Sequence, residues 1–211
     1  MSADERRHVG INLGAADPMA HRDAERAAFG FWVFLMSDAV IFALLFATYG
    51  SMLSATAGGP APAGSFKIGS AFTETLILLS SSFTFGMASI SMKYADRAER
   101  PAPLLAWLAV TLILGLSFIG MELHDFVGLF REGAYPSRSG FLSAFFALVP
   151  LHGLHVLAGS LWLIVMMAQV AAFGCDARVK IDILRLGLFW HFLDIVWIAI
   201  FSVVYLQGLI R

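Results

Sequence analysis

The chain has 211 residues, of which 59% are hydrophobic and only 14% charged, with a mean hydropathy of +0.78; water-soluble domains sit near half apolar and a quarter charged. A formal net charge of -1 removes the basic signature of nucleic-acid binding. Cys175, the single cysteine, leaves no internal disulfide, no cysteine-rich metal site and no cluster-binding set.

Residues 1–28 mix both charge signs and lack the apolar centre and small-residue cleavage site of a secretory signal, so they read as a polar arm kept in the mature chain. Five apolar runs follow, at 29–53, 70–92, 104–123, 141–172 and 184–209. Each has at least the ~20 residues that cross a hydrocarbon core. The gaps hold most of the charge and the helix breakers. TAGGPAPAGS separates the first two runs, and KYADRAERPAP the next two. REGAYPSRSG places Ser137 or Ser139 to cap the fourth helix, and FGCDARVKID closes that helix with Gly174. No linker is long enough for a second domain, so 29–211 reads as one all-α, integral membrane, five-helix transmembrane bundle.

Charge also orients it. Arg6, Arg7, Arg22, Arg26, Lys93, Arg97, Arg100, Arg178, Lys180 and Arg185 lie on one side, against Lys67, Arg131, Arg138 and Arg211 on the other. Lys and Arg in short loops stay cytoplasmic, so the N-terminus is expected in the cytoplasm and the C-terminus in the periplasm.

Ionisable groups inside a span cost about 3 kcal/mol if they face lipid, and so normally face protein or water. They are Asp38, Glu74, Glu122, His152, His155, His191 and Asp194. At about 1.5 Å per residue, Asp38, His152 and Asp194 fall near one midplane, with His155 and His191 roughly 5 Å further toward the cytoplasm. Glu74 and Glu122 form a separate pair near the outer surface, where a carboxylate would reach headgroups or water. Three readings of the midplane layer stand. The i,i+3 pairs His152/His155 and His191/Asp194 could ligate zinc or iron, though no Glu-x-x-His pair accompanies them. A proton or ion path could use the same groups, but the outer third of spans one, four and five offers no continuation. A structural network could instead fix helix docking, each group bonding its neighbours, hydroxyls or a carbonyl freed at Pro150. The run Ser80, Ser81, Ser82 with Thr84 and Gly86 reads as a small-residue face for a neighbouring helix. Trp32, Trp107, Trp162, Trp190 and Trp197 read as interfacial belts and packing.

Three blocks, FGFWVFLMSDAVIFALLFATYG, PSRSGFLSAFFALVPLHGLHVLAGSLWL and LFWHFLDIVWIAIFSVVYLQG, resemble subunit III of haem-copper oxidases. The pairing of His-Gly-Leu-His with Trp-His-Phe-x-Asp-x-x-Trp is specific to that family. Five spans, with ATAGGP and SRSGFLSAFFALV, resemble its quinol-oxidising bo type, which lacks the two extra N-terminal helices of the cytochrome c oxidase version. The resemblance places Asp38 on the family's buried carboxylate of the first shared helix, often Glu there, and Glu122 on its acid toward the outer helix end. His155, His191 and Asp194 fall on its motif positions. It implies a subunit with no catalytic, haem, copper or other metal ligands of its own, packed beside a subunit I that holds haems and copper. The implied partners are subunits I, II and IV and membrane phospholipid, held in a cleft between helix groups. The complex would take electrons from ubiquinol, reduce dioxygen to water and move protons outward, in the respiratory chain of a bacterial inner membrane. This chain would stabilise subunit I and shield the mouth of its proton pathway. The rival from another class is a free-standing transporter or His/Asp metal enzyme of the membrane.

Overall fold

Long apolar sequence leaves the backbone no water to bond, so each N–H must find a carbonyl within its own segment, and helices result. A computed structural model describes residues 18–56, 68–94 and 102–206. It contains helices α1 (Pro18–Met52), α2 (Ile68–Tyr94), α3 (Ala102–Arg131), α4 (Gly140–Phe173) and α5 (Ala177–Ile200), the last running into a π-helical turn, Phe201–Leu206. All five are long and apolar enough to cross a membrane. Residues 1–17 of the arm, most of the Gly/Pro and charged connectors, and Arg211 lie outside the described residues, as do Arg6, Arg7, Lys67, Arg97 and Arg100 among the charges used to orient the chain.

Helix bounds differ from the apolar runs in three places. α1 starts at Pro18, within the stretch read as a polar arm, and proline suits a first helical turn because its missing N–H is not needed there. α3 continues through Arg131, well past residue 123, and α5 starts at Ala177, ahead of residue 184. Charged side chains lower the hydropathy of these end turns without breaking the helix. Both expected end signals of α4 are present. The Ser139 hydroxyl accepts from the Leu142 N–H at 3.1 Å, and Gly174 closes the helix at φ 73°, with its N–H donated to the Val170 carbonyl.

α2, α3, α4 and α5 form a closed ring in which each packs on the next and α5 returns to α2; α1 lies against α4 and α5. Neighbours around the ring are antiparallel, and α1 is antiparallel to α4. Thr75, Ser81 and Phe85 of α2 meet Trp197, Trp190 and Gly187 of α5 in reverse order, and Phe31, Asp38 and Tyr49 of α1 meet Trp162, His155 and Phe141 of α4. One stripe of α1 is buried, Leu35, Asp38, Phe42 and Tyr49 at helical spacing, while Phe29, Val33, Val40, Ile41 and Leu44 are exposed. Its hold on the ring is therefore narrow, and a charged residue sits in the middle of it.

Candidate functional site

Asp38 lies on the buried stripe of α1 and points at α4, its Oδ2 4.0 Å from Nε2 of His155. The other nitrogen of His155 contacts the Leu151 carbonyl at 2.7 Å. A carbonyl only accepts, so Nδ1 carries a proton and Nε2 is the nitrogen turned to the carboxylate. The carbonyl used is that of Leu151 on the same helix, not one freed at Pro150. One turn earlier, His152 is 0% exposed and neither ring nitrogen finds a hydrogen-bond partner among the described residues. Aromatic rings enclose it: Trp197 at 5.3 Å, Phe118 edge-on at 5.8 Å and Phe42 at 6.4 Å between centroids.

His191 and Asp194 form a second group, on the α2–α5 seam. Ser82 bonds Nδ1 of His191 at 2.6 Å, and Asp194, one turn further along α5, has a buried Oδ1 with no hydrogen-bond partner among the described residues. The midplane layer thus resolves into two groups: Asp38 with His155, and His191 with Ser82 and Asp194. Among the described residues no three His, Cys, Asp or Glu side chains gather as a metal set.

The serine run does receive a neighbouring helix, through tryptophan. Ser81 donates to the Leu78 carbonyl at 2.7 Å and accepts the indole N–H of Trp190 at 3.0 Å. Thr75 repeats the device, donating to the Ala71 carbonyl at 2.8 Å and accepting from Trp197 at 3.0 Å. Each hydroxyl spends its proton on its own helix, leaving the oxygen free for the indole. Trp190 and Trp197 are therefore fully buried cross-links of the core rather than interfacial belts. Trp190 also presses on Gly115, where an added Cβ would meet its ring at 2.9 Å.

Call the end of the bundle holding the start of α1 the near end. At the far end Glu74 is 2% and Glu122 5% exposed, so neither carboxyl reaches headgroups or water from this chain, contrary to the surface position expected from their place in the sequence. The physical reason for Glu122 is the extra length of α3, which carries on through Arg131 and puts Glu122 roughly 14 Å inside the helix end. Its carboxyl packs on the α4 backbone at Gly153, where a Cβ would come 2.8 Å from Cδ. Glu122 lies within range of the charge of Glu74, and Tyr205 in the π-helical turn within range of Glu74, Glu122, Asp125 and Tyr49. Tyr49, Asp125 and Tyr205 were missed because each lies on a different span; only the packing of the helices brings their ends together.

Residues 19–209 match the family described as Cytochrome c oxidase subunit III. The cytochrome bo(3) ubiquinol oxidase subunit 3 of Pseudomonas aeruginosa is 49% identical over 189 residues, covering 90% of this chain and 88% of that protein. The quinol oxidase subunit 3 of Bacillus subtilis is 40% identical over 85% of this chain and 86% of its own length. The cytochrome c oxidase subunit 3 of Bacillus sp. (strain PS3) is 36% identical over 100% of both chains. A relative named for cytochrome c thus matches end to end, so this chain length does not by itself separate the two electron donors.

Proposed function

The chain belongs to the cytochrome c oxidase subunit III family, and from that premise we propose that it is the third, non-catalytic subunit of a ubiquinol-oxidising haem-copper oxidase in a bacterial inner membrane. The observation that carries the quinol assignment is identity: 49% to a bo(3) ubiquinol oxidase subunit 3, against 36% to a cytochrome c oxidase subunit 3. In this reading haems and copper sit in subunit I, subunits II and IV complete the assembly, and the N-terminus is cytoplasmic. The chain's contribution is mechanical. Its four-helix ring is fastened by Trp190 and Trp197, and α1 is fastened to the ring by one stripe centred on Asp38 and His155. The apolar outer face of α1 is then available to subunit I or to phospholipid, with the proton-uptake mouth of subunit I shielded beside it.

The test is turnover of the purified oxidase carrying Asp38→Ala. Loosening α1 leaves the redox centres untouched, so the initial ubiquinol oxidase rate should stay near wild type while activity decays faster during turnover and less complex is recovered. Immediate loss of all turnover in an intact, haem-loaded complex contradicts an accessory role.

A further inference from the structure

Polar side chains on the outer faces of the spans are mostly satisfied locally. Ser37, Thr48, Ser80, Ser117 and Ser202 are all exposed, and each donates to a carbonyl one turn back on its own helix, at 2.6–2.9 Å. A hydroxyl bonded in this way shows acyl chains little unmet polarity.

His191 differs. It is exposed and lies next to the middle of the 29-residue span Arg178–Leu206, with about 20 Å of helix on either side. Its one hydrogen bond crosses to α2, Nδ1 standing 2.6 Å from the Ser82 hydroxyl, and among the described residues Nε2 has no hydrogen-bond partner. As N–H that nitrogen needs an acceptor, and without the proton it needs a donor. Acyl chains supply neither. His124, the other exposed histidine among the described residues, lies about 10 Å from the end of α3, within easy reach of headgroups.

The surroundings of His191 form a seat. Beyond it the exposed residues of α5 are Ile195, Ile198 and Ser202, at the four- and three-residue steps of one helical face. α2 borders that face on one side, through Ser82. α1 borders it on the other, through Phe42, whose ring centroid is 6.4 Å from that of Phe192. Both helices pack on α5, yet among the described residues they form no packed seam with each other. The α5 face is therefore the floor of an open groove along the bundle, with an imidazole at its middle.

The occupant has to match an apolar floor and one hydrogen-bonding nitrogen in mid-membrane. An acyl chain covers the isoleucines and leaves Nε2 unmet. A transmembrane helix meets both needs, since packed helices stand about 8–10 Å apart and hydrogen bonds between side chains cross such seams. Ionisable groups within spans normally face protein or water. Building on the reading of this chain as an oxidase subunit, we propose that the α5 face centred on His191, between α1 and α2, seats a transmembrane helix of a companion subunit that presents a hydrogen-bonding side chain to Nε2.

Photo-crosslinking in the purified, haem-containing complex tests this, with p-benzoylphenylalanine in place of Ile195 or Ile198. Irradiation should join both positions to one span of one companion chain, identified by mass. Adducts with lipid alone, or with a second copy of this chain, overturn the proposal. His191→Ala should cut the yield from Ile198 several-fold, while His191→Gln, whose amide both donates and accepts, should keep most of it. Equal yields in all three backgrounds, or a glutamine variant as poor as the alanine one, overturn the hydrogen bond. If His191→Ala blocks assembly, the yield of His191→Gln against the otherwise wild-type chain decides. Failure of the oxidase reading is visible before irradiation, as a preparation with no haem-containing companion. A haem-loaded complex without the cross-link sinks the docking face alone.

Discussion

Gly153→Ala probes whether Glu122 is held inside the bundle. The new methyl would stand 2.8 Å from Cδ of Glu122 and equally close to one carboxyl oxygen, where carbon contacts settle at about 3.5–4.0 Å. Either α3 and α4 separate or the carboxyl swings out of its site. Overpacking of this kind costs about 1–3 kcal/mol, and a displaced buried polar group adds on the order of 1 kcal/mol. Alanine returns about 1 kcal/mol of helix propensity. The net expectation is a loss of about 1–3 kcal/mol, read as a lower melting temperature and a lower yield of purified assembly. Glu122→Ala removes the obstacle, so adding Gly153→Ala to it should cost little further, a coupling of about 1–3 kcal/mol in a double-mutant cycle. Additive effects, or a Gly153→Ala variant as stable as wild type, would refute the placement of Glu122 against α4.

Three further outcomes are expected. Trp190→Phe gives up the bond to Ser81 and vacates the contact at Gly115, which should cost about 2–4 kcal/mol; in that background Gly115→Ala should be tolerated, and equal harm in both backgrounds would contradict the fit. Ser82→Ala leaves Nδ1 of His191 without its hydrogen bond across the α2–α5 seam and should lower stability by about 1–3 kcal/mol, with Ser82→Thr milder, both read by thermal melting. Burial pushes the Cys175 thiol up from its ordinary range, with the Lys180 charge partly opposing it, so little thiolate exists near neutral pH. Maleimide labelling of native protein should be slow at pH 7 and accelerate as pH rises, while stability from the buried neutral thiol is lost as pH climbs through the unfolded thiol's range. Fast labelling at neutral pH would contradict the burial.

Sequence showed the number of helices because span length is a one-dimensional property, and the caps at Ser139 and Gly174 because capping is local. Counting residues along an axis set Asp38 level with His152 and left His155 about one turn away, so the sequence put Asp38 near His155 without showing that His155 is the histidine it meets. Counting does not tell which way a side chain points, and the same method therefore joined His191 and Asp194 to a layer that the structure divides. It also set Glu122 at a surface, because the helix end was taken where hydropathy fell rather than at Arg131. Trp190 and Trp197 lie seven residues apart, on one helical face, and Thr75 and Ser81 recur at nearly that interval on α2. That periodicity was the available sign that the indoles turn inward. The far-end cluster had no such sign, since its members come from separate helices and meet only through the packing order of the ring.

The most direct test of the account is purification of this chain from its native membranes in mild detergent, with the visible spectrum of the reduced sample and the masses of its companions recorded together. The account predicts reduced haem bands, a large multi-span partner and ubiquinol-dependent oxygen consumption in the same fraction. A single colourless chain, stable and active alone, would contradict it.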